Sequence, residues 1–377
     1  MKTFVISLLL IFCLQSVFSQ TQILPKFLRK MYLNKDSTKK SSFVILPALS
    51  SAPETGLEVG GAGLYSFYSD SLKSNTRVSS VFGYGTVTTK GQSRLSLNIS
   101  YWTPDNGYHY TAGISFMNFP FNFYGIGNNT RSADAVRIGQ KRTKGYLSVE
   151  KKLSDRLYAG IVAGGIQYRI PPEPKNTIFY TDRRVENHGG GSNIYLGPSI
   201  TYDSRNNNTY TTKGMIITSS FEIIKGFGNK GYNGGFLNIE YSQFFALAKK
   251  LVLGVDIQEQ SLTGRSSPFY WLPALGNDEL MRGYYNGRYR DRNLLAGQTE
   301  LRYRLSPRIG LVGFAGTGEV FNKSFSWAQL KPNYGGGVRY FFDIEKGLSI
   351  RADYGVGQKN PGEKRQSGFY AALGQAF

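Results

Sequence analysis

Few side chains in this sequence of 377 residues could do proton or thiol chemistry, for it holds two histidines and one cysteine. His109 lies near the start of an alternating stretch and His188 in the glycine-rich run ENHGGG. A hydrolase carried on a membrane-protein wall needs a serine and a third polar group lined up with its histidine, and neither histidine has a convincing companion in sequence. Two histidines are also too few for a histidine-rich metal site, so both read as solvated or interfacial. The run GFGNKG at 226–231 has the spacing G-x-G-x-x-G. Phosphate binding by that spacing needs a helix that opens at the glycines and presents its N–H groups; here the run joins two strand-like stretches and reads as a turn. In YTDRRVEN (180–187) carboxylates alternate with arginines, the pattern of a self-paired loop rather than an acid/base pair. These residues point to a chain that is not an enzyme and that holds neither cofactor nor metal.

The densest cluster is cationic. LMRGYYNGRYRDRN, residues 280–293, packs four arginines and three tyrosines around two glycines. A guanidinium keeps its charge in any surroundings and offers a planar fork to a carboxylate. Such a loop is a solvated surface, a nucleic-acid patch, or a plug with a buried partner. The formal charge of +20 invites the second reading. Against it, the basic residues are spread over nearly every segment, often at strand ends, which suits anionic lipid headgroups or a cationic lumen. No nucleic acid is expected as a partner.

The elements that must position these residues are strands. MKTFVISLLLIFCLQSVFSQ has one lysine, an apolar run from Phe4 to Leu14 and small residues before Gln20. It reads as a secretory signal peptide over 1–19, too short for a membrane-spanning helix. Cys13 lies inside it, so the mature chain has no thiol for disulfides, nucleophiles or thiolate metal sites. Residues 20–42 are a short periplasmic lead-in, too few to form a folded domain. No other unbroken apolar stretch approaches the roughly 18 residues of a spanning helix. Yet 14% of the residues are aromatic and 45 are glycine, and an exported, alternating chain with that profile is a transmembrane β-barrel. In SIRADYGVG (349–357), Ile350, Ala352, Tyr354 and Val356 share one face and Ser349, Arg351, Asp353 and Gly355 the other, as lipid-facing and lumen-facing sides should.

Sixteen such strands run from 43–50 and 57–68 to 347–357 and 366–377, an even number, as bacterial single-chain barrels require. Connections after even-numbered strands are short, whereas 119–142, 170–191, 262–293, 322–332 and 358–365, all after odd-numbered strands, are long. That asymmetry separates periplasmic turns from extracellular loops. The expected fold is all-β, a sixteen-stranded antiparallel transmembrane β-barrel over 43–377, set among the lipids of a bacterial outer membrane. Pro47 cannot donate to a ladder and marks the first strand as weakly paired.

Taken in order, several segments resemble the Omp85 superfamily, the BamA/TamA-like barrels of surface antigen D15 type. MRGYYNG (281–287) is similar to that family's VRGF/Y loop motif, and GFAGTGEVF (313–321) to its FxDAGxVW strand. YDSRNNNTYTTKG (202–214) resembles its DTRD…P..G signature through Asp203, Arg205 and Gly214. GGGVRYFFDIEKGLSIRADYG (335–355) looks like its GxGLR…lRxDyG segment, and GFYAALGQAF (368–377) like its terminal strand. There are three departures. Gly316 stands where the family has an aspartate, Asn206 rather than an aspartate follows Asp203-x-Arg205, and the sequence shows no POTRA repeats, as in a short POTRA-less member.

The resemblance implies that the long loop is inserted into the barrel, with Arg282 as anchor, Gly283 at a turn or close approach, and Tyr284 packed on the wall. Asp353 is the expected lumen partner of Arg282, Glu319 the fallback, and Arg351 a competitor for Asp353 from the same face. The last strand, with Tyr370 and a final Phe377, is expected to be the signal read by the barrel-assembly machinery. Phe369, Ala371, Leu373, Gln375 and Phe377 should share one face of it. The seam at Pro47, between first and last strands, is where members of such a family open laterally. The implied function is insertion or translocation of protein or lipid at the outer membrane, together with partners in an envelope protein complex. The alternative is a loop-gated pore that favours anions.

Overall fold

Alternation at period two gives each strand one apolar and one polar face, and a sheet with two such faces is stable where one side meets lipid and the other a polar lumen. The computed structural model describes residues 41–52, 54–70, 76–227 and 231–377; the signal segment and nearly all of the lead-in lie outside them. Sixteen strands close into one antiparallel barrel. The first eight are β1 (Ser42–Ala52), β2 (Gly56–Phe67), β3 (Ser79–Thr88), β4 (Ser93–Trp102), β5 (Tyr108–Asn118), β6 (Lys141–Lys152), β7 (Leu157–Arg169) and β8 (Gly190–Asp203). The second eight are β9 (Gly214–Phe227), β10 (Gly234–Ala248), β11 (Leu251–Thr263), β12 (Asn293–Arg304), β13 (Ile309–Phe321), β14 (Lys331–Asp343), β15 (Leu348–Val356) and β16 (Ser367–Leu373). Leu57, Leu95, Ile161, Leu196 and Ile223 stand about half exposed on the outer face, while Glu58, Ser96, Glu150, Asp256, Glu300 and Arg351 are buried on the inner one.

The long connections leave one rim and cover it. Among the described residues they hold two short ribbons, Phe121–Phe123 with Val136–Ile138 and Ala274–Leu275 with Tyr289–Arg290, one α-helical turn, Ile178–Thr181, and two 3-10 turns, Ser132–Asp134 and Trp327–Gln329. Alternation over two or three residues is too short to be read from sequence, and none of these pieces was expected. Phe123, Phe179 and Phe269 meet edge to face beneath them, with ring centroids 5.0–5.8 Å apart. Asp182 and Arg184 pair with each other at 2.8 Å, as the alternating charges of that loop suggested. Of the glycine run at 226–231, Gly226 and Phe227 close β9, residues 228–230 lie outside those described, and β10 begins at Gly234.

Closure is uneven. β1 pairs with β2 over all eleven residue positions, from Ser42 with Ser66 to Ala52 with Gly56, Pro47 opposite Gly61 included. On its other side the described ladder between β1 and β16 consists of Ser51 with Phe369 alone. A free edge explains how Pro47 sits inside a strand without breaking the sheet.

The end of the chain departs from the sequence reading. The last strand stops at Leu373, and Phe369 faces outward, 44% exposed. Gly374 then adopts φ +80° and donates its N–H to the Ser349 carbonyl at 2.7 Å. That left-handed step, cheap for glycine, ends the alternation and turns the chain inward. Gln375 bonds Ser349 Oγ at 2.8 Å and accepts from Arg339 Nε at 3.1 Å. Phe377 packs on Phe244 at 5.9 Å, and the Arg302 guanidinium lies 4.6 Å from its ring centroid. Gln375 and Phe377 therefore do not share the outward face of Phe369.

A desolvated cation–π contact contributes about 2 kcal/mol. Phe377→Ala should lower barrel stability by about that amount, whereas Phe377→Leu, which keeps apolar contact with Phe244 but lacks a π face, recovers less than half. Urea titration of the detergent-folded barrel measures both.

Candidate functional site

An arginine carried out of water needs its charge matched, because an uncompensated buried charge is strongly destabilising. Arg282, in the 264–292 connection, has no exposed surface. Its Nη1 donates to Asp353 Oδ2 at 2.7 Å and its Nη2 to Glu300 Oε1 at 2.6 Å. The guanidinium lies over Phe314, 3.6 Å from the ring centroid. Asn333 Nδ2 caps the Arg282 carbonyl at 2.8 Å. Three more arginines complete the cluster. Arg302 donates to Glu300 Oε2 at 2.8 Å, Arg339 pairs with Asp353, and Arg351 spans Asp353 at 3.3 Å and Asp278 at 2.8 Å. Four guanidinia are thus held by three carboxylates.

The neighbours of Arg282 fix its backbone. Met281 sits at φ +58° and Gly283 at φ +107°, so the chain turns sharply on both sides of the anchor. A Cβ on Gly283 would come within 2.7 Å of Val356 N, and one on Gly355 within 2.6 Å of the Arg282 carbonyl carbon. Two bare backbones are pressed together there. Gly283 N–H donates to the Tyr370 hydroxyl of β16 at 2.9 Å. The Tyr284 hydroxyl donates to the Pro332 carbonyl at 2.6 Å and accepts from Gln358 N–H at 2.9 Å. Arg282, Gly283 and Tyr284 each meet a different piece of the wall.

The structure brings together Arg282, Asp353 and Arg351 as the sequence suggested, but not Glu319. Strict alternation along β13 puts Phe314 on the lumen side and Glu319 on the other parity. At the rim Glu319 is buried by the 322–330 connection and accepts from Ser326 N–H at 2.8 Å. Glu300 is the partner that sequence reasoning missed. Leu301 and Tyr303, both more than 40% exposed, are outward, so their parity already marked Gln298, Glu300 and Arg302 as inward. Gly316, where the resemblance calls for an aspartate, is packed by Gln298 and Asn333, and the counter-charge comes from Glu300 one strand away. His188 stacks on Tyr180. His109 does have companions: Ser100 Oγ lies 3.0 Å from its Nε2, and Glu150 3.6 Å from its Nδ1.

No curated protein matches the chain in sequence. Among solved structures it is similar in fold to BamA from Haemophilus ducreyi lacking POTRA domains 1–3, with a TM-score of 0.56, 13% identity, and coverage of 90% of this chain and 71% of that one. CdiB from Acinetobacter baumannii gives 0.57, 14%, 89% and 60%; CdiB from Escherichia coli gives 0.56, 10%, 91% and 63%. The chain thus spans less than two thirds of either CdiB. A family model for the Omp85 superfamily domain matches residues 73–377. The chain belongs to the Omp85 superfamily. It is an outer-membrane β-barrel.

In this Omp85 barrel a cavity of about 560 Å³ runs along the seam between β1 and β16. Ala48 and Tyr370 line it together with Pro47 and Leu373. Asp278 and Arg351 reach it from the plug side. Glu54, in the turn between β1 and β2, is 8% exposed and its Oε2 has no hydrogen-bond partner. Burial pushes its carboxyl up to about 7, against the opposing pull of the Asn286 N–H and Arg94.

Two tests follow from this geometry. Arg282→Ala leaves Glu300 and Asp353 short of a counter-charge and should cost about 3–5 kcal/mol; Arg282→Lys, with no fork to bridge two carboxylates, should recover only part. Urea titration reads both, and equal protease sensitivity of 264–292 in parent and alanine variant would contradict the anchor. For Glu54, the folded pKa lies above the ordinary 4.5. The folded state therefore binds the proton more tightly, and the stability gained is complete below about 4.5 and lost as pH rises through about 7. The unfolding temperature should fall between those limits, and Glu54→Gln should flatten that fall.

Proposed function

We propose that this barrel inserts or translocates polypeptide at the outer membrane, and that the opening is the seam between β1 and β16. The observation that carries the reading is the contrast between the complete β1–β2 ladder and the single Ser51–Phe369 pair across the seam. Backbone N–H and C=O groups left unpaired in hydrocarbon cost several kcal/mol each, and a free strand edge is a template for another strand. β1 offers such an edge within the membrane. An incoming strand that pairs with it gains the hydrogen bonds that β16 does not supply. Pro47 interrupts the donors along this edge, so a strand added there is held less tightly than in an ordinary ladder and can leave again. The seam cavity provides the space in which the exchange takes place.

The same geometry bears on the chain's own assembly. Tyr370 is buried against Gly283, and Phe377 is turned into the lumen. As an assembly signal these residues are available to the barrel-assembly machinery only before the barrel closes. Partners in an envelope complex belong to the same reading.

The test is a lock. Ser51→Cys with Phe369→Cys places two thiols on directly opposed residues. With the barrel reconstituted in liposomes, the folding rate of a urea-unfolded outer-membrane barrel is followed by its heat-modifiable mobility. The parent and the reduced double variant should accelerate folding; the oxidised variant should fall to the rate of lipid alone and recover with reductant. An oxidised barrel as active as the reduced one would remove the seam from the mechanism. The pore reading draws on the arginines facing the lumen, and it requires instead that deletion of 270–293 raise anion conductance in planar bilayers while the lock changes nothing.

A further inference from the structure

On the inner wall, one residue above the turn that joins β4 to β5, three side chains from three adjacent strands form a line. Ser100 of β4, His109 of β5 and Glu150 of β6 all face the lumen. Register makes them neighbours, because Trp102 opposes His109 and His109 opposes Glu150. Ser100 Oγ is 3.0 Å from His109 Nε2, and His109 Nδ1 is 3.6 Å from Glu150 Oε2. The tautomer with its proton on Nδ1 satisfies both contacts at once: Nε2 accepts from the serine, and Nδ1–H points at the carboxylate. Two further contacts hold the line in place. The Trp102 indole stacks on the imidazole at 3.8 Å with planes 7° apart, which sets the ring's rotation. Thr201 of β8 donates to Glu150 Oε1 at 2.9 Å, reaching past Gly160 of β7, the residue paired with Glu150. Beside the line lies a pocket of about 260 Å³, lined by His109 and Glu150 and by the hydroxyls of Thr111 and Ser148.

We infer that Ser100, His109 and Glu150 are a serine-hydrolase triad, and that the pocket takes a carboxylic ester with a short acyl chain. Nucleophilic catalysis needs a nucleophile within hydrogen-bond reach of a base and a third group that orients the base; here the pocket lies against that base, His109, and its orienting carboxylate, Glu150. The outer gap of 3.6 Å is longer than a hydrogen bond. Apo sites are commonly loose in this way and tighten when imidazolium forms. In the reaction Ser100 Oγ bonds to the carbonyl carbon while its proton passes to Nε2. Thr111, opposite Ser100 in the ladder, and Ser148 supply hydroxyl donors to the oxyanion. The C–O bond of the ester breaks, and the alcohol leaves with the proton from Nε2. Water, deprotonated by the same nitrogen, attacks the acyl-serine; the acid departs and the Ser100 hydroxyl is restored. Glu150 acts through His109 as a positioning residue. The pocket volume excludes a diacyl lipid, and its hydroxyl-rich lining favours a small polar ester.

The experiment uses the full barrel folded in detergent, its fold verified by heat-modifiable mobility. A fluorophosphonate should form a covalent adduct located at Ser100 by peptide mass spectrometry, and p-nitrophenyl butyrate should be hydrolysed. Ser100→Ala should abolish both while keeping the fold. His109→Asn should slow them by about a hundredfold, the usual contribution of a general base. Glu150→Gln should lower kcat by about a hundredfold with KM unchanged, a split that mere loosening of the wall would not give. A native barrel with no adduct at Ser100, or Ser100→Ala barrel hydrolysing at the parent's rate, overturns the assignment.

Discussion

Arg282 can reach Asp353 and Glu300 only if a stretch of polar backbone is drawn down inside a ring of strands, and that requirement shapes much of the barrel. The guanidinium cannot shed its charge, so the interior must supply carboxylates, and those carboxylates attract further arginines. Asp353 and Glu300 are shared among Arg282, Arg302, Arg339 and Arg351. Removing one member leaves its partners miscounted, which is why such clusters behave as units. Space for them is made by omission. A side chain at Gly335 would strike the Phe314 ring under Arg282, and one at Gly337 would strike the Asp353 carboxylate.

Much of this was legible in the sequence, for reasons specific to particular residues. Alternation in SIRADYGVG assigned Asp353 and Arg351 to the inside, and loop lengths assigned the rims, because a barrel has only two faces and two ends. The same parity applied to GQTELRYR would have found Glu300 between outward Thr299 and Leu301. What stayed hidden has a common cause: contacts that join distant parts of the chain. Nothing local connects Ser100 with Glu150, and only the β4–β5–β6 register brings them to one patch of wall. The inward turn of Phe377 depended on Gly374 and on capture by Arg302, an arginine 75 residues away in the chain. A periodic pattern carried past its last paired residue mistakes a turn for more strand.

The membrane decides how the seam is to be understood. In water an unpaired edge is readily hydrated; in hydrocarbon it is not. The barrel limits this cost where it can: Gly374, Gln375 and Phe377 satisfy themselves on inner-wall groups instead of extending the wall. Among the described residues, what remains unpaired with β16 is the part of β1 before Ser51, beside the seam cavity.

The hydrogen bond from Gly283 to the Tyr370 hydroxyl joins the plug to that same strand, β16. It makes the loop a latch. Any swing of β16 away from β1 pulls on the backbone next to the arginine anchor, and any withdrawal of the plug frees the strand. Such linkage is reciprocal by thermodynamic necessity. A ligand that lifts the loop would ease the wall apart, and a polypeptide wedged in the wall would, with equal coupling energy, loosen the loop.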